Sequence, residues 1–397
     1  MWRLLKSKLP TMILLFEPQS LGGIVPLKNR IVMAPMTRTR TSDGDVPNEL
    51  MATYYGQRAS SGLIVTEVAN VAPSSKGYAL MPGIYTEAQR QGWRLVTDEV
   101  HRNGGTIFLQ VFHVGRMAHP SLMPNGDAPW GVTEQRAEHS DVFAHGPDGR
   151  LRYMRAGTPR RLNTDEISAL VDTFTQAFVN ARKAGFDGVE IHAGNGYLID
   201  QFMNSVLNTR TDRYGGGSVE NRTRFLMEVV EAAVRELGPG RVGVRLSPFG
   251  HFNSMPADPL VEETLLYVCD QLGRRGIAYM HLVYELMPAG NMESGEFKEC
   301  HIDHALLARV RAALPGAIIW CGGFTKRESA QAALDTGLVD LIAFGRPYIA
   351  NPDLAERLRH GWPLAEADRS TYYTRCGEVG YTDFPAYPSG SAAGGAG

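Results

Sequence analysis

Eight short apolar or β-branched runs recur along the chain: NRIVMAP (29–35), GLIVTEVA (62–69), TIFLQVF (106–112), DGVEIH (187–192), RVGVRLS (241–247), AYMHLVY (278–284), AIIWCGG (317–323) and DLIAFGR (340–346). Near-continuous apolar runs suit strands covered on both faces, and helical periodicity between them suits parallel βα units. Eight such units predict an α/β fold, the closed (β/α)8 TIM barrel, rather than an open sheet. One domain over 15–387 follows, with 1–14 as an N-terminal extension and 388–397, rich in Gly, Ala and Ser, as a disordered tail. Between runs, Ile167, Leu170, Val171, Phe174 and Phe178 recur at helical spacing behind an Asn163/Glu166 capping box, with Gly185 as the stop. Thr325 with Glu328 predicts a second capping box, and Asn351 with Pro352 predicts the start of the last barrel helix.

With 397 residues and 43% apolar composition, the chain has material for a core of that size. A net charge of −2, with no long run of one sign, favours a small-molecule partner over nucleic acid or an anionic membrane. Cys269, Cys300, Cys321 and Cys376 lie far apart without a CxxC pair. That argues against a disulfide framework, a zinc site or an iron–sulfur cluster, predicts no metal, and fits a reducing cytoplasm. MWRLLKSKLPTMILLF at the start has the basic-then-apolar order of a signal peptide, but Pro10 interrupts it and MILLF is too short for the apolar segment. No run reaches the length of a membrane span.

Residues 113–160, rich in Gly, Pro and His, exceed an ordinary βα connection and predict a lid or hairpin over the C-terminal mouth of the barrel, where barrel enzymes hold their active sites. At that mouth the strand-end polar residues are Thr37, Gln110, His192, Asn195 and Arg245. Gly322-Gly323 and Gly345-Arg346 follow the seventh and eighth runs, where barrels bind phosphate through backbone N–H groups; two tight turns with a surface arginine are the other reading. Arg245 in RVGVRLS demands an anionic or hydrogen-bonding partner, which a ligand or a structural salt bridge can supply. A phosphate site together with a central cation and amide suits flavin mononucleotide.

The motifs LKNRIVMAPMTR (27–38), PGIYTEAQ (82–89), LQVFHVGR (109–116), HAGNGYLIDQFMN (192–204), TRTDRYGGGSVENR (209–222), FGRPYIANPDL (344–354) and GYTDFP (380–385) together resemble the Old Yellow Enzyme family of FMN-dependent ene-reductases, in the family's order. Thr after APM, with His and Asn in HxxNxY, resembles the branch of N-ethylmaleimide and pentaerythritol tetranitrate reductases. The resemblance implies that Pro35, Met36 and Thr37 line the flavin, with Thr37 on its O4, that Gln110 and Arg245 face its pyrimidine end, and that His192 also contacts it. It implies that Gly322, Gly323, Gly345 and Arg346 hold the phosphate and that Val68 lies beside the ring, where the family usually has Ala or Gly. His192 and Asn195 are implied to bind the oxygen of an activated alkene and Tyr197 to protonate its α-carbon, while Tyr78, Phe112 and Tyr373 line the substrate pocket. Taken without the resemblance, His192 reads equally as a strand-end histidine, Asn195 as a turn residue and Tyr197 as a packed aromatic.

Phe112 replaces the family's usual Trp, HAGN replaces HGAN, and YGGGS carries an extra glycine. The implied activity is NAD(P)H-dependent, ping-pong reduction of α,β-unsaturated aldehydes, ketones, maleimides or nitroalkenes, with NADPH and NADH both open and the chain a monomer or homodimer. Nitrate-ester or nitro-compound reduction, and a biosynthetic dienone reductase or isomerase, are the alternatives on the same scaffold. Nothing in the chain looks like a GxGxxG nicotinamide domain, which fits NAD(P)H using the substrate's place.

Overall fold

The computed structural model describes residues 13–283, 303–373 and 376–388; the expected disordered tail and most of the N-terminal extension lie outside them. Eight parallel strands close into a barrel: Ile31–Met33, Leu63–Asn70, Ile107–Phe112, Gly188–His192, Val242–Leu246, Tyr279–Val283, Ala317–Cys321 and Leu341–Phe344, hereafter strands one to eight. Each pairs with the next, and strand eight pairs with strand one. Seven lie within one of the eight runs, and strand two extends one residue past its run, to Asn70.

Strand residues are buried on both faces because helices cover the outside and side chains fill the inside. Outward Ile64, Leu109, Val189, Ile191 and Val244 join the helix-facing core with Phe174, Phe178 and Phe225. Inward Val32, Leu63, Val65, Phe108, Tyr279 and Leu341 form a separate cluster with Leu21, Val25 and Leu27. Those last three come from an antiparallel hairpin, Gln19–Leu21 with Val25–Leu27, which plugs the N-terminal end. Gly22 turns that hairpin at φ +54°, and a Cβ there would lie 2.3 Å from the Gly240 Cα, so only glycine serves.

The helix Thr164–Lys183 starts as its capping box predicts: Asn163 Oδ1 accepts the Glu166 N–H at 2.8 Å and Glu166 Oε2 accepts the Asn163 N–H at 2.8 Å. Such a cap contributes about 1 kcal/mol. Two other starts differ from expectation. The helix Arg327–Asp335 follows Lys326 with no side-chain cap, which makes Glu328 its second residue; a capping box needs the third. The helix Leu354–His360 follows Asp353, while Asn351 is drawn instead to Ala365, accepting its N–H at 2.8 Å and donating to its carbonyl at 3.0 Å.

The excursion after strand three carries an antiparallel hairpin, Asp141–His145 with Leu151–Arg155. Its Val142 and Ala144 are buried in one cluster with Phe112, Val68, Met81 and Tyr197, so the hairpin packs over one side of the mouth. Phe143 O accepts the Ala79 N–H at 2.8 Å. Arg116, 1% exposed, ties the excursion to the loop after strand five by donating to Ser254 O at 2.8 Å. Among the described residues no helix is long and apolar enough to cross a membrane.

Candidate active site

Barrel register brings sequence-distant side chains into two adjacent rows. Val68 pairs with Gln110, Gln110 with Glu190, His192 with Arg245, and Arg245 with His281. Alternation along a strand sends Glu190 and His192 to the same face. A bulge between Val65 and Val68 interrupts strand two, and Thr66 fills it: its hydroxyl accepts the Gln110 N–H at 3.1 Å and donates to Glu67 O at 2.8 Å. Three apart in a regular strand, Val65 and Val68 would face opposite ways; the bulge absorbs one residue and puts both inside.

His192, 4% exposed, ends strand four. Its Nδ1 accepts the Gly194 N–H at 3.3 Å. Burial, followed by the charges of Arg245 and His281, pushes its pKa well below the usual histidine value. The ring is therefore neutral, and with Nδ1 accepting, its proton sits on Nε2 as a donor. Asn195 stands at φ +57°, held at both ends of its peptide: its N–H donates to Ser247 Oγ at 2.5 Å and its carbonyl accepts Asn253 Nδ2 at 2.7 Å. No hydrogen bond among the described residues takes up the Asn195 carboxamide. The HAGN order has a local reason, since a Cβ on Gly194 would meet Ser247 Oγ at 2.7 Å.

Tyr197 follows as the N-cap of the helix Leu198–Met203. Its ring stands edge-on to Phe112 at 5.0 Å and to His192 at 5.1 Å between centroids. Burial raises its pKa, while Tyr78 and Asn253, both engaging the phenol, oppose the rise. The structure thus brings His192, Asn195, Tyr197, Phe112 and Tyr78 together. Tyr373, 40% exposed, stands at the rim and touches the group through its electrostatic influence on Tyr78 and Tyr197.

At the other side of the mouth, Pro35, Met36 and Thr37 are half-buried and fixed from behind. Ala34 N donates to Phe344 O at 2.9 Å and Arg38 N to Glu67 Oε2 at 3.2 Å. Gly345 lies beside this segment; a Cβ there would find only Met36 Sδ, at 3.8 Å. Gly323 adopts φ +75° after strand seven. Arg346 begins the short helix Pro347–Ala350, and burial, with Arg369 also nearby, pushes its guanidinium down to about 10. Arg245, 8% exposed, has an Nε with no hydrogen-bond partner among the described residues. A buried unmade hydrogen bond costs ~1–3 kcal/mol, and an anion beside Arg346 would offset its burial. Both features fit a ligand with ring acceptors and a phosphate, as FMN has.

Sequence reasoning missed Glu190, His281, Ser247 and Asn253. Glu190 Oε1 accepts Gln110 Nε2 at 2.6 Å, and Glu190 Oε2 lies 2.8 Å from His281 Nδ1. The available signal was a charged residue two before His192 in an otherwise apolar strand. No comparable signal marked Ser247 or Asn253, which act across a loop-to-loop contact.

Comparison with known proteins accords with this geometry. The model of the NADH:flavin oxidoreductase / NADH oxidase family matches residues 14–365. The chain is 43% identical over 374 residues to 12-oxophytodienoate reductase 1 of Oryza sativa subsp. japonica, covering 94% of this chain and 92% of that one. It is 41% identical to 12-oxophytodienoate reductase 2 of Arabidopsis thaliana, covering 94% and 96%. Among solved structures, morphinone reductase in complex with tetrahydroNAD superposes with a TM-score of 0.87 at 43% identity, covering 94% of this chain and 98% of that one. The Old Yellow Enzyme homologue from Zymomonas mobilis superposes with 0.84 at 37% identity, covering 94% and 99%. With relatives this similar over nearly its whole length, the chain belongs to the NADH:flavin oxidoreductase / NADH oxidase family of FMN-dependent, Old Yellow Enzyme-type oxidoreductases.

Proposed function

We propose that this protein is an NAD(P)H-dependent ene-reductase acting on electron-poor alkenes such as α,β-unsaturated aldehydes, ketones, maleimides and nitroalkenes, in a ping-pong cycle. The carrying observation is the convergence, around one wall of the mouth, of a neutral histidine donor, an unengaged carboxamide and a phenol. Gln110, Arg245 and Thr37 would hold the ring of FMN, and Gly322, Gly323, Gly345 and Arg346 its phosphate; when bound, FMN would supply the hydride-transfer chemistry between the nicotinamide and the alkene's β-carbon. His192 Nε2–H and the Asn195 amide bind the carbonyl or nitro oxygen, stabilising the negative charge that gathers there. Tyr197 gives its proton to the α-carbon, and the resulting phenolate is stabilised by Tyr78 and Asn253. Phe112 and the excursion hairpin keep water from this side of the pocket.

Anaerobic stopped-flow absorbance tests the reading: the FMN-loaded protein is mixed with NADPH or NADH, then with 2-cyclohexenone, beside Tyr197→Phe. Bleaching followed by recovery is expected, with Tyr197→Phe slowing only the recovery, by about 10²- to 10⁴-fold as for loss of a general acid. Bleaching with no recovery on any activated alkene sinks the ene-reductase reading and leaves nitro compounds or nitrate esters as oxidants. The same mixing compares the two nicotinamides directly.

A further inference from the structure

Two residues before His192 on strand four, a single carboxylate commits both oxygens, one to a side chain from strand three and the other to one from strand six. Glu190 and His281 are both 0% exposed and Gln110 is 1% exposed. Glu190 Oε1 takes Gln110 Nε2 at 2.6 Å, and Oε2 takes His281 Nδ1 at 2.8 Å. An ionised carboxylate can only accept hydrogen bonds, so this contact decides which end of the Gln110 amide is nitrogen. The nitrogen end turns to Glu190. No hydrogen bond among the described residues ends on Gln110 Oε1, which leaves the oxygen as the end open to a ligand.

We infer that Glu190 is a positioning residue for the cofactor: it locks the Gln110 carboxamide so that an acceptor oxygen is presented to the imide N–H of a flavin's pyrimidine-dione edge. The inference rests on the FMN reading of the same site. An amide free to make a half turn offers the wrong end part of the time, and ordering it on binding costs affinity. The lock requires Glu190 to stay ionised. Burial works against that, but His281 first, then Arg245 and Gln110, hold the carboxyl below the usual range. His281 is correspondingly raised by Glu190 against its own burial and the repulsion of Arg245, which makes the pair an internal ion pair. Tyr279 and Cys321 also face it, Tyr279 through Glu190 and Cys321 through His281.

A double-mutant cycle separates positioning from general support of the barrel. The Kd for FMN is read from fluorescence released on serial dilution of the holoprotein, for wild type, Gln110→Ala, Glu190→Gln and the double variant. Glu190→Gln keeps the shape but lets the two amides pair either way round. Losing one hydrogen bond predicts about a tenfold rise in Kd for Gln110→Ala, and about three- to tenfold for Glu190→Gln. The double variant is expected to match Gln110→Ala alone, because Glu190 has nothing left to position. A double-variant Kd equal to the product of the single effects, or a Glu190→Gln Kd equal to wild type, overturns the inference while leaving the flavin reading intact. A wild-type protein that takes up no FMN overturns both. Glu190→Ala is run alongside; if it fails to fold, the glutamine cycle decides the matter by itself.

Discussion

Replacing Glu67 with glutamine isolates one buried charge behind the segment that lines the mouth. Glu67 is 1% exposed; Oε2 accepts the Arg38 N–H at 3.2 Å and Oε1 accepts the Tyr55 hydroxyl at 3.3 Å. Burial lifts its pKa from 4.5 to about 7, against the lowering pull of the Arg38 amide, the Arg38 and Arg40 charges and Tyr55. The folded state therefore binds more protons than the unfolded chain between these values. The stability this carboxyl contributes is complete below about pH 4.5 and is lost as pH rises through about 7. Integration between the two pKa values gives a cost of about 2 kcal/mol at about pH 6 and about 3.4 kcal/mol at about pH 8.5, so about 1.4 kcal/mol disappears across that interval. Glu67→Gln keeps an oxygen for one of the two donors and does not titrate. Urea unfolding at both pH values should show the wild type losing about 1.4 kcal/mol more than the variant over the interval. Asp200, whose pKa burial also raises to about 7, is present in both proteins and cancels in the difference. Parallel pH dependence in the two proteins would refute the reasoning, because it would mean that Glu67 is compensated well enough to ionise freely.

Arg346→Ala should raise the Kd for FMN about 10- to 100-fold, the worth of a charge-assisted hydrogen bond, measured by fluorescence on dilution; a change under about twofold would mean that no phosphate sits there. Phe112 is fully buried and edge-on to Tyr197. Phe112→Trp should cost about 1–3 kcal/mol by overpacking and, by pressing on Tyr197, slow enone-driven reoxidation without slowing reduction by the nicotinamide; urea unfolding and the two stopped-flow phases read these separately. Gly62→Ala would put a Cβ 2.0 Å from the Asn29 carbonyl oxygen, so strand two must shift. A loss of about 3 kcal/mol or more in thermal or urea unfolding is expected, and a near-neutral result would show that the backbone there yields easily.

What the sequence makes legible is what local pattern can carry. The strands are readable because a barrel strand is covered on both faces and so is written as a near-continuous apolar run, as in AIIWC and LIAF. His192, Asn195 and Tyr197 stand out as one candidate group because a single strand end, loop and helix start carries all three. The Asn163 capping box succeeds, and the Thr325 one fails by a single residue of helix register, because a two-residue signature cannot say where the preceding loop hands over to the helix. Glu190 is different in kind. Its partners come from strands three and six: Gln110 is its register partner, whereas His281 lies in the next register row, beside Arg245, and only barrel closure brings it to Glu190. Ser247 and Asn253 likewise act from strand five's loop on a peptide at Asn195, holding it in the left-handed region where its carboxamide is free for a ligand. The groups proposed to bind a substrate are thus local in sequence, whereas the groups that position them, or position the proposed flavin contact Gln110, are local only in space. Substitutions in the aiming set should therefore alter affinity and geometry in step with their partners, and this coupling, absent from any single motif, is what the Glu190 and Gln110 cycle measures.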